Sequence, residues 1–277
     1  MSAVNTPLGV AVPPRPRHWW RWLAVLVVAA LVIAVFAALP IGWNRLGDLP
    51  GEILRYLWLM FSAPDWSKLP EALWQTWRSV AMAWIGTVLS IVVATPLGIL
   101  AARGVGPRWL QPVLRVVFGV VRAVPEIIIA IIILSVTGLT PLTGALAIGV
   151  SGVGTLGKWG YEAVETAPTG AVEAVRASGG GLLDEIRWGL WPAVAPTFLS
   201  FWLYRFEISV RASAVLGLIG VGGIGDMLTS YTQYREWSTV GVLVIVVVVV
   251  TMALDALSGA VRRRIMEGSA ARDLAGW

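Results

Sequence analysis

The 277-residue chain is expected to fold as an all-α polytopic membrane protein with six transmembrane helices. Three observations predict this. First, 57% of the residues are hydrophobic and only 13% charged, with a mean hydropathy of +0.77. Soluble domains carry about 25% charged residues, so there is too little charge here to cover a water-exposed surface. Second, the basic residues sit between long apolar runs, where orientation signals belong. Third, the chain holds 16 tryptophans, and amphipathic indoles suit the membrane–water interface. The composition also excludes several chemistries. With no cysteine, and with His18 as the one histidine, cysteine redox chemistry, zinc fingers, Cys–His nucleophiles and His-based triads are absent. The net charge of +5 is spread among the apolar runs, which argues against a nucleic-acid partner.

A bilayer core of roughly 30 Å needs about 20 apolar helical residues. Residues 1–18, with Pro13, Pro14 and Pro16, read as a disordered tail. The apolar run Leu23–Leu39 follows, flanked by Arg15, Arg17 and Arg21. A cleaved signal peptide is the competing reading, but no clear small-residue cleavage site follows and further spans do. Residues 19–71 therefore hold a retained first helix and a segment in which Pro50–Ser62 reads as a short interfacial helix. Residues 79–102 are uncharged and end at Arg103, giving a second span. The next uncharged window, Ile127–Gly157, is 31 residues long and is interrupted at 137–141 by Thr-Gly-Leu-Thr-Pro. It is too long for one span and too short for two, so an earlier helix must begin near Pro112. That places Arg122, Pro125 and Glu126 close to its middle, with Pro125 expected to kink it. The fourth helix, from about Pro141 to Glu165, carries six glycines, which let helices approach closely in lipid. The fifth spans about Trp191–Leu218, with Arg205, Glu207 and Arg211 near its middle. A glycine-rich turn, 220–225, leads to the sixth, Trp237–Leu257.

Six spans put both termini on one side. That side, counted over residues 1–21, 103–115, 167–190 and 261–277, holds twelve Lys and Arg, against four in 40–71, 136–142 and 219–236. The positive-inside rule then places both termini and the 167–190 loop in the cytoplasm. Two glycine patterns resemble nucleotide loops. Gly152-Val-Gly-Thr-Leu-Gly157-Lys158 lacks the Ser or Thr that would meet magnesium, since Trp159 follows, and it lies within a helix with no preceding strand. Gly220-Val-Gly-Gly-Ile-Gly225 fails for the same lack of a strand. The chain is therefore expected to carry no ATP site of its own.

A charge in the bilayer usually faces the bundle interior or a water-filled path. Arg122 with Glu126, and Glu207 with Arg211, are spaced i,i+4, so each pair could neutralise itself along one helix. Arg205 has no facing acid within its own helix. The functional reading is that Arg122, Pro125, Glu126, Arg205, Glu207 and Arg211 line or gate a polar pathway. The five charges sum to +1, which two copies would double, and a positive lining suits an anion.

The expected cytoplasmic loop runs Glu173-Ala-Val-Arg-Ala-Ser-Gly179-Gly-Gly-Leu-Leu-Asp184-Glu185-Ile-Arg187-Trp-Gly-Leu-Trp-Pro192. It reads as two short helical pieces broken at 179–181, re-entering the membrane at Pro192. This segment resembles the EAA motif of ABC-importer permeases, E-A-A-x3-G-x9-I-x-L-P. Glu173, Ala174, Gly179 and Pro192 fall in register, while Val175, Gly189 and Trp191 replace its second Ala, its Ile and its Leu. Tyr204-Arg-Phe-Glu207-Ile-Ser-Val-Arg211 and its continuation to Gly225 resemble the segment that follows this loop in phosphonate-import permeases. Val121-Arg122-Ala-Val-Pro125-Glu126 resembles their R-x-[IV]-P-E stretch. Ser209 stands where many relatives have Asn, and Val221 where many have Ala.

The resemblance implies a type I ABC importer permease (MetI-like) fold, with a core over 72–260 and a cytoplasmic C-terminal tail over 261–277. It implies a non-catalytic inner-membrane subunit for phosphonate or a related phosphorus oxyanion. Its expected partners are a second copy of the permease, two cytoplasmic ATPase subunits holding ATP and magnesium, a substrate-binding protein outside, and lipid. Glu173, Ala174, Val175, Arg176, Gly179, Asp184, Glu185 and Arg187 would form the loop docked on the ATPase. The alternatives are a permease for another small anion or polar metabolite, an ion-coupled secondary transporter, which also has midplane charges and broken helices, and a membrane enzyme.

Overall fold

The computed structural model describes residues 19–38 and 47–275, with side chains through residue 264. The tail expected over 1–18 lies outside the described residues. The described chain is helical in all its regular elements and divides within its second helix into two units, residues 1–55 and 56–277. In the first unit, α1 (Trp19–Ala38) is apolar along its length and buries no residue, as a helix meant for lipid would. Helix α2 (Leu49–Phe61) coincides in extent with the short helix expected over Pro50–Ser62.

The second unit is organised around α3 (Leu69–Ala101) and α6 (Pro141–Glu165), which lie together along most of their length. Small residues make that approach possible. A Cβ on Gly86 would lie 2.6 Å from the Ala145 carbonyl oxygen and 2.7 Å from Ile148, and one on Gly98 would lie 3.1 Å from the Gly157 carbonyl oxygen. The Ser90 hydroxyl donates to the carbonyls of Gly86 at 2.8 Å and of Gly149 at 3.0 Å, so it satisfies its own helix and its neighbour at once. In lipid, where no hydrophobic force drives helices together, close packing of this kind carries association.

Helices α4 (Leu110–Ala123) and α5 (Glu126–Thr137) replace the single kinked span expected from near Pro112 to residue 137. They are bent by 90° at the intervening break. Proline explains the break: Pro125 has no N–H to donate, and it disfavours helical geometry in the preceding residue. Val124 is accordingly extended, with φ −87° and ψ 121°. Arg122 and Glu126 therefore close one helix and open another. Beyond α5, Gly138 takes φ +72°, and Thr140 caps α6 by accepting from the Thr143 amide.

The loop after α6 folds as α7 (Gly170–Ala177), one turn of α8 (Leu182–Asp184) and a π-helical turn, Glu185–Leu190. Helix α9 (Trp191–Gly217) takes Pro192 in its first turn, where a missing N–H costs nothing. The glycine-rich turn has positive φ at Gly220, Gly222 and Gly223, and the following amide of Ile224 donates to the Ser79 hydroxyl oxygen at 3.0 Å. Helices α10 (Ile224–Gln233) and α11 (Trp237–Ala275) complete the chain. The last helix thus continues past Leu257 through most of the expected tail.

By length and composition, α1, residues Trp66–Ala101 and residues Trp237–Arg264 are apolar enough to cross a membrane, and α4 with α5 qualifies as a bent pair. Helices α6 and α9 are long enough at 25 and 27 residues, but glycines dilute the first and charges the second. Each of the six expected spans thus corresponds to a helix or to the bent pair. If the glycine contacts hold α3 to α6, Gly86→Val will cost about 1–3 kcal/mol through overpacking. The purified variant's thermal midpoint should fall, whereas Gly119→Val, at a position with open space for a Cβ, should leave it nearly unchanged.

Candidate functional site

Helix α9 presents charges to two different neighbours. Arg205 is 4% exposed and lies 3.7 Å from the Glu126 carboxylate at the start of α5. Its guanidinium also donates to the Ile148 carbonyl of α6 at 3.2 Å. The Ser151 hydroxyl approaches the same Glu126 oxygen at 3.5 Å. On another face of α9, Glu207 meets Arg262 of α11 at 3.4 Å and Arg211 meets Asp255 at 3.8 Å. Residues 207 and 211 are one helical turn apart and share a face. Asp255 and Arg262 are two turns apart on α11, so an antiparallel crossing matches each charge with its opposite.

Self-pairing along one helix is therefore not how these charges are compensated. Arg122 and Glu126 are separated by the break at Val124–Pro125. Along its own helix Arg211 reaches the backbone carbonyl of Glu207, at 3.4 Å, rather than its carboxylate. Arg205, which had no expected acid, is the most buried partner of all and pairs across helices. Among the described residues Arg122 has no ion pair; its side chain packs over Gly154, where a Cβ would lie 3.0 Å from its Cγ. Arg262 and Asp255 received no role in the sequence reading. Their seven-residue spacing on an apolar helix is the signal that could have found them.

Glycine also sets how closely the charged centre is held. A Cβ on Gly152 would collide with Ser90 of α3 and come within 3.1 Å of the Arg205 Nε. The Thr87 hydroxyl donates to the Ser209 hydroxyl at 2.9 Å, and the Ser209 hydroxyl donates to the Arg205 carbonyl at 2.8 Å. The first G-x-G-x-x-G pattern, read above as a false nucleotide loop, is thus a packing stripe inside α6.

The 170–190 loop is a braced protrusion. Gly179 ends α7 at φ +84°, and the next amide, Gly180, donates to the Val175 carbonyl at 3.0 Å. A side chain is strained at that φ, which explains the glycine in the motif. Arg176 makes two hydrogen bonds to Glu185, at 2.9 and 2.8 Å, closing α7 onto the π-helical turn. The Asp184 carboxylate accepts from the Gly181 amide at 3.1 Å. Val172, Ile186 and Leu190 pack on a cluster with Val164, Val194 and Phe198 at the base of α6 and α9. Gly189, which departs from the motif's Ile, is buried where a Cβ would lie 2.8 Å from the Val172 backbone. Glu173, Ala174 and Arg187 remain exposed, while Val175 is half-buried. Glu173 and Arg176 also border a cavity of about 190 Å³. Nearby, Glu165 takes both the Arg103 amide at 2.9 Å and the Arg115 guanidinium, which ties the 103–115 segment to the end of α6. Among the described residues no group of His, Cys, Asp and Glu is arranged to hold a metal ion.

Residues 94–267 match the family of the binding-protein-dependent transport system inner membrane component. The phosphite transport system permease protein PtxC of Stutzerimonas stutzeri is 31% identical over 211 residues, which is 73% of this chain and 74% of PtxC. HtxC of the same organism is 32% identical over 206 residues, 74% of this chain and 72% of HtxC. The phosphate-import permease protein PhnE of Mycolicibacterium smegmatis is 36% identical over 146 residues, 51% of this chain but only 27% of PhnE. Among solved structures, a chain of the MetNI methionine ABC transporter, in an inward-facing conformation, superposes with a TM-score of 0.65 at 19% identity, over 73% of this chain and 99% of that one. A chain of a bacterial ABC transporter for alginate superposes with a TM-score of 0.59 at 13% identity, over 90% of this chain and 99% of that one. At such identities these two show a shared fold and nothing of cargo.

The Arg176–Glu185 clamp gives a pH prediction. Hydrogen bonds from Arg176 hold the Glu185 carboxyl below the usual carboxylate range. A depressed value in the folded loop means that the pairing stabilises it fully above the unfolded value of about 4.3 and is lost as pH falls through the lower folded value. Hydrogen exchange of the 173–187 amides, corrected for intrinsic rate, should be flat from pH 8 to 6 and rise only in acid. Arg176→Gln should raise it already at neutral pH; equal exchange in both proteins would show that the clamp does not hold the loop.

Proposed function

The chain belongs to the binding-protein-dependent transport system inner membrane components, a non-catalytic subunit working with a substrate-binding protein and a separate ATPase, and from that premise we propose that it conducts phosphonate or a related phosphorus oxyanion. The observation that carries the cargo class is the identity to PtxC over nearly three quarters of both chains. The charge distribution agrees with it. Among Arg122, Glu126, Arg205, Glu207, Arg211, Asp255 and Arg262, three cations face three acids, and Arg122 supplies the excess. A path with one uncompensated arginine per copy attracts anions without holding them tightly, as conduction requires. Arg122, Pro125, Glu126, Arg205, Glu207 and Arg211 then line or gate that path.

In this reading two copies of the chain form the path, and both termini and the 167–190 loop face the cytoplasm. ATP and magnesium are held by the ATPase. Its closure on ATP pushes on the face carrying Glu173, Ala174 and Arg187, and the braced loop passes the push to the bases of α6 and α9. The 90° break between α4 and α5 supplies a place where the spans can reorient. ATP shifts the equilibrium only by as much as it favours one state over the other.

Two measurements test this. In vesicles containing the permease, its ATPase and its binding protein, Arg122→Ala should reduce ATP-driven methylphosphonate or phosphate uptake roughly 10-fold, in line with the ~1.5–3 kcal/mol of a hydrogen bond to a charged group. Wild-type uptake by both Arg122→Ala and Arg211→Ala would make these charges structural. For orientation, the absence of cysteine makes Ser178→Cys a unique probe. A membrane-impermeant maleimide should label it only from the cytoplasmic side, and labelling from outside would overturn the proposed lever.

A further inference from the structure

The Glu126–Arg205 pair is incomplete. Arg205 is almost wholly buried, yet its Nε has no hydrogen-bond partner, and Glu126 Oε1 is likewise buried and unpartnered. The one carboxylate oxygen that faces the guanidinium does so at 3.7 Å, well beyond the roughly 2.7–2.9 Å of a charge-assisted hydrogen bond. An arginine fork meets a carboxylate best with two parallel bonds. Here one contact is stretched, while a donor on one partner and an acceptor on the other are left over.

The surroundings keep Arg205 fixed and Glu126 movable. Arg205 sits mid-way along α9, tethered to the Ile148 carbonyl, and its unpartnered Nε lies against Gly152, 3.1 Å from where a Cβ would stand. Glu126 is the first residue of α5, directly after the break, so no continuous helical hydrogen bonding ties it to α4. Any reorientation of α5 about Val124–Pro125 carries the carboxylate away from a guanidinium that stays in place. A tetrahedral oxyanion offers three oxygens and can meet Nε and the terminal nitrogens together, which this carboxylate does not.

We propose that Glu126 is a built-in stand-in for the transported anion: it masks Arg205 in the closed arrangement and yields it to a phosphorus oxyanion when α5 swings about the break. This rests on the reading of the chain as an anion permease. It adds that the anion contact is Arg205, and that Glu126 competes with cargo. Competition would also empty the site, because the returning carboxylate displaces the anion on closure. Binding and release then become one exchange at one guanidinium.

The test is equilibrium binding of radiolabelled inorganic phosphate, methylphosphonate and sulfate to the permease–ATPase complex in nanodiscs, without the binding protein. Wild type should bind each weakly. Glu126→Gln should bind phosphate or methylphosphonate about 10-fold more tightly, within the roughly 5–150-fold range of ordinary site-to-site coupling. Glu126→Gln with Arg205→Gln should return to the wild-type level. Glu126→Asp, which shortens the side chain but keeps the charge, should gain less than the amide and guards against a folding defect in Glu126→Gln. A gain for sulfate alone would uphold the masking and overturn the phosphorus cargo. No gain for any of the three anions in either folded variant would overturn the masking, and wild-type phosphate uptake in vesicles would then show that the cargo reading survives it.

Discussion

Burying a guanidinium where lipid surrounds the bundle is the constraint from which the rest of the arrangement follows. An uncompensated charge at that depth is expensive, so Arg205 must find its partners inside the protein. Its own helix has none to offer on that face. The acid comes from α5 and the carbonyl from α6. To bring three helices that close to one side chain, the intervening helix must be thin. Helix α6 is thin because Gly149, Gly152 and Gly157 leave room for Leu89, Ser90 and Phe118. The packing stripe and the charged centre are therefore one requirement met by one helix.

The 170–190 loop obeys a different constraint. It protrudes, so it cannot be stiffened by burial alone. It uses a left-handed glycine at 179, a two-bond clamp between Arg176 and Glu185, and a small apolar foot of Val172, Ile186 and Leu190. Each acts on backbone position rather than on the outward face. That leaves Glu173, Ala174 and Arg187 free to meet another surface. If the loop passes on a push as proposed, it must be stiff along its length and open at its tip, and the division of residues suits that need.

Much of this was legible in the sequence, for reasons that can be stated. Apolar runs near 20 residues mark spans because bilayer thickness is fixed. Gly138, Pro141, Pro192 and the glycines of 220–223 mark turns and helix starts because few other residues suit those conformations. The family resemblance carried by Glu173, Gly179 and Pro192 held through to the family match. What was not legible was tertiary. The i,i+4 spacing of Glu207 and Arg211 suggested a pair along one helix, but that spacing means only a shared face, and α11 covers it. Pro125 suggested a kink, but the size of the bend depends on how α5 packs against α6, and no local rule contains that. Arg205 lacked a partner only so long as α9 was considered alone.

The ion pairs of α9 also divide the labour within the helix. Two of them, to Asp255 and Arg262, join α9 to the long α11 by matched charges on two continuous helices. Glu207 is buried in that contact, whereas Arg211, Asp255 and Arg262 are partly exposed, so it joins the two helices along a face open on one side. The third joins α9 to α5, which begins at a proline break and meets Arg205 through a single stretched contact. If the bundle must change shape, this is the joint with a chain break beside it, whereas α9 and α11 run unbroken through their pairs. The charged groups that would bind an anion therefore lie beside a break between helices, and those that join α9 to α11 lie on continuous ones. An anion path needs both properties, because a site that moved as one rigid body with its surroundings would never open, and a scaffold broken at every joint would not transmit a push from below.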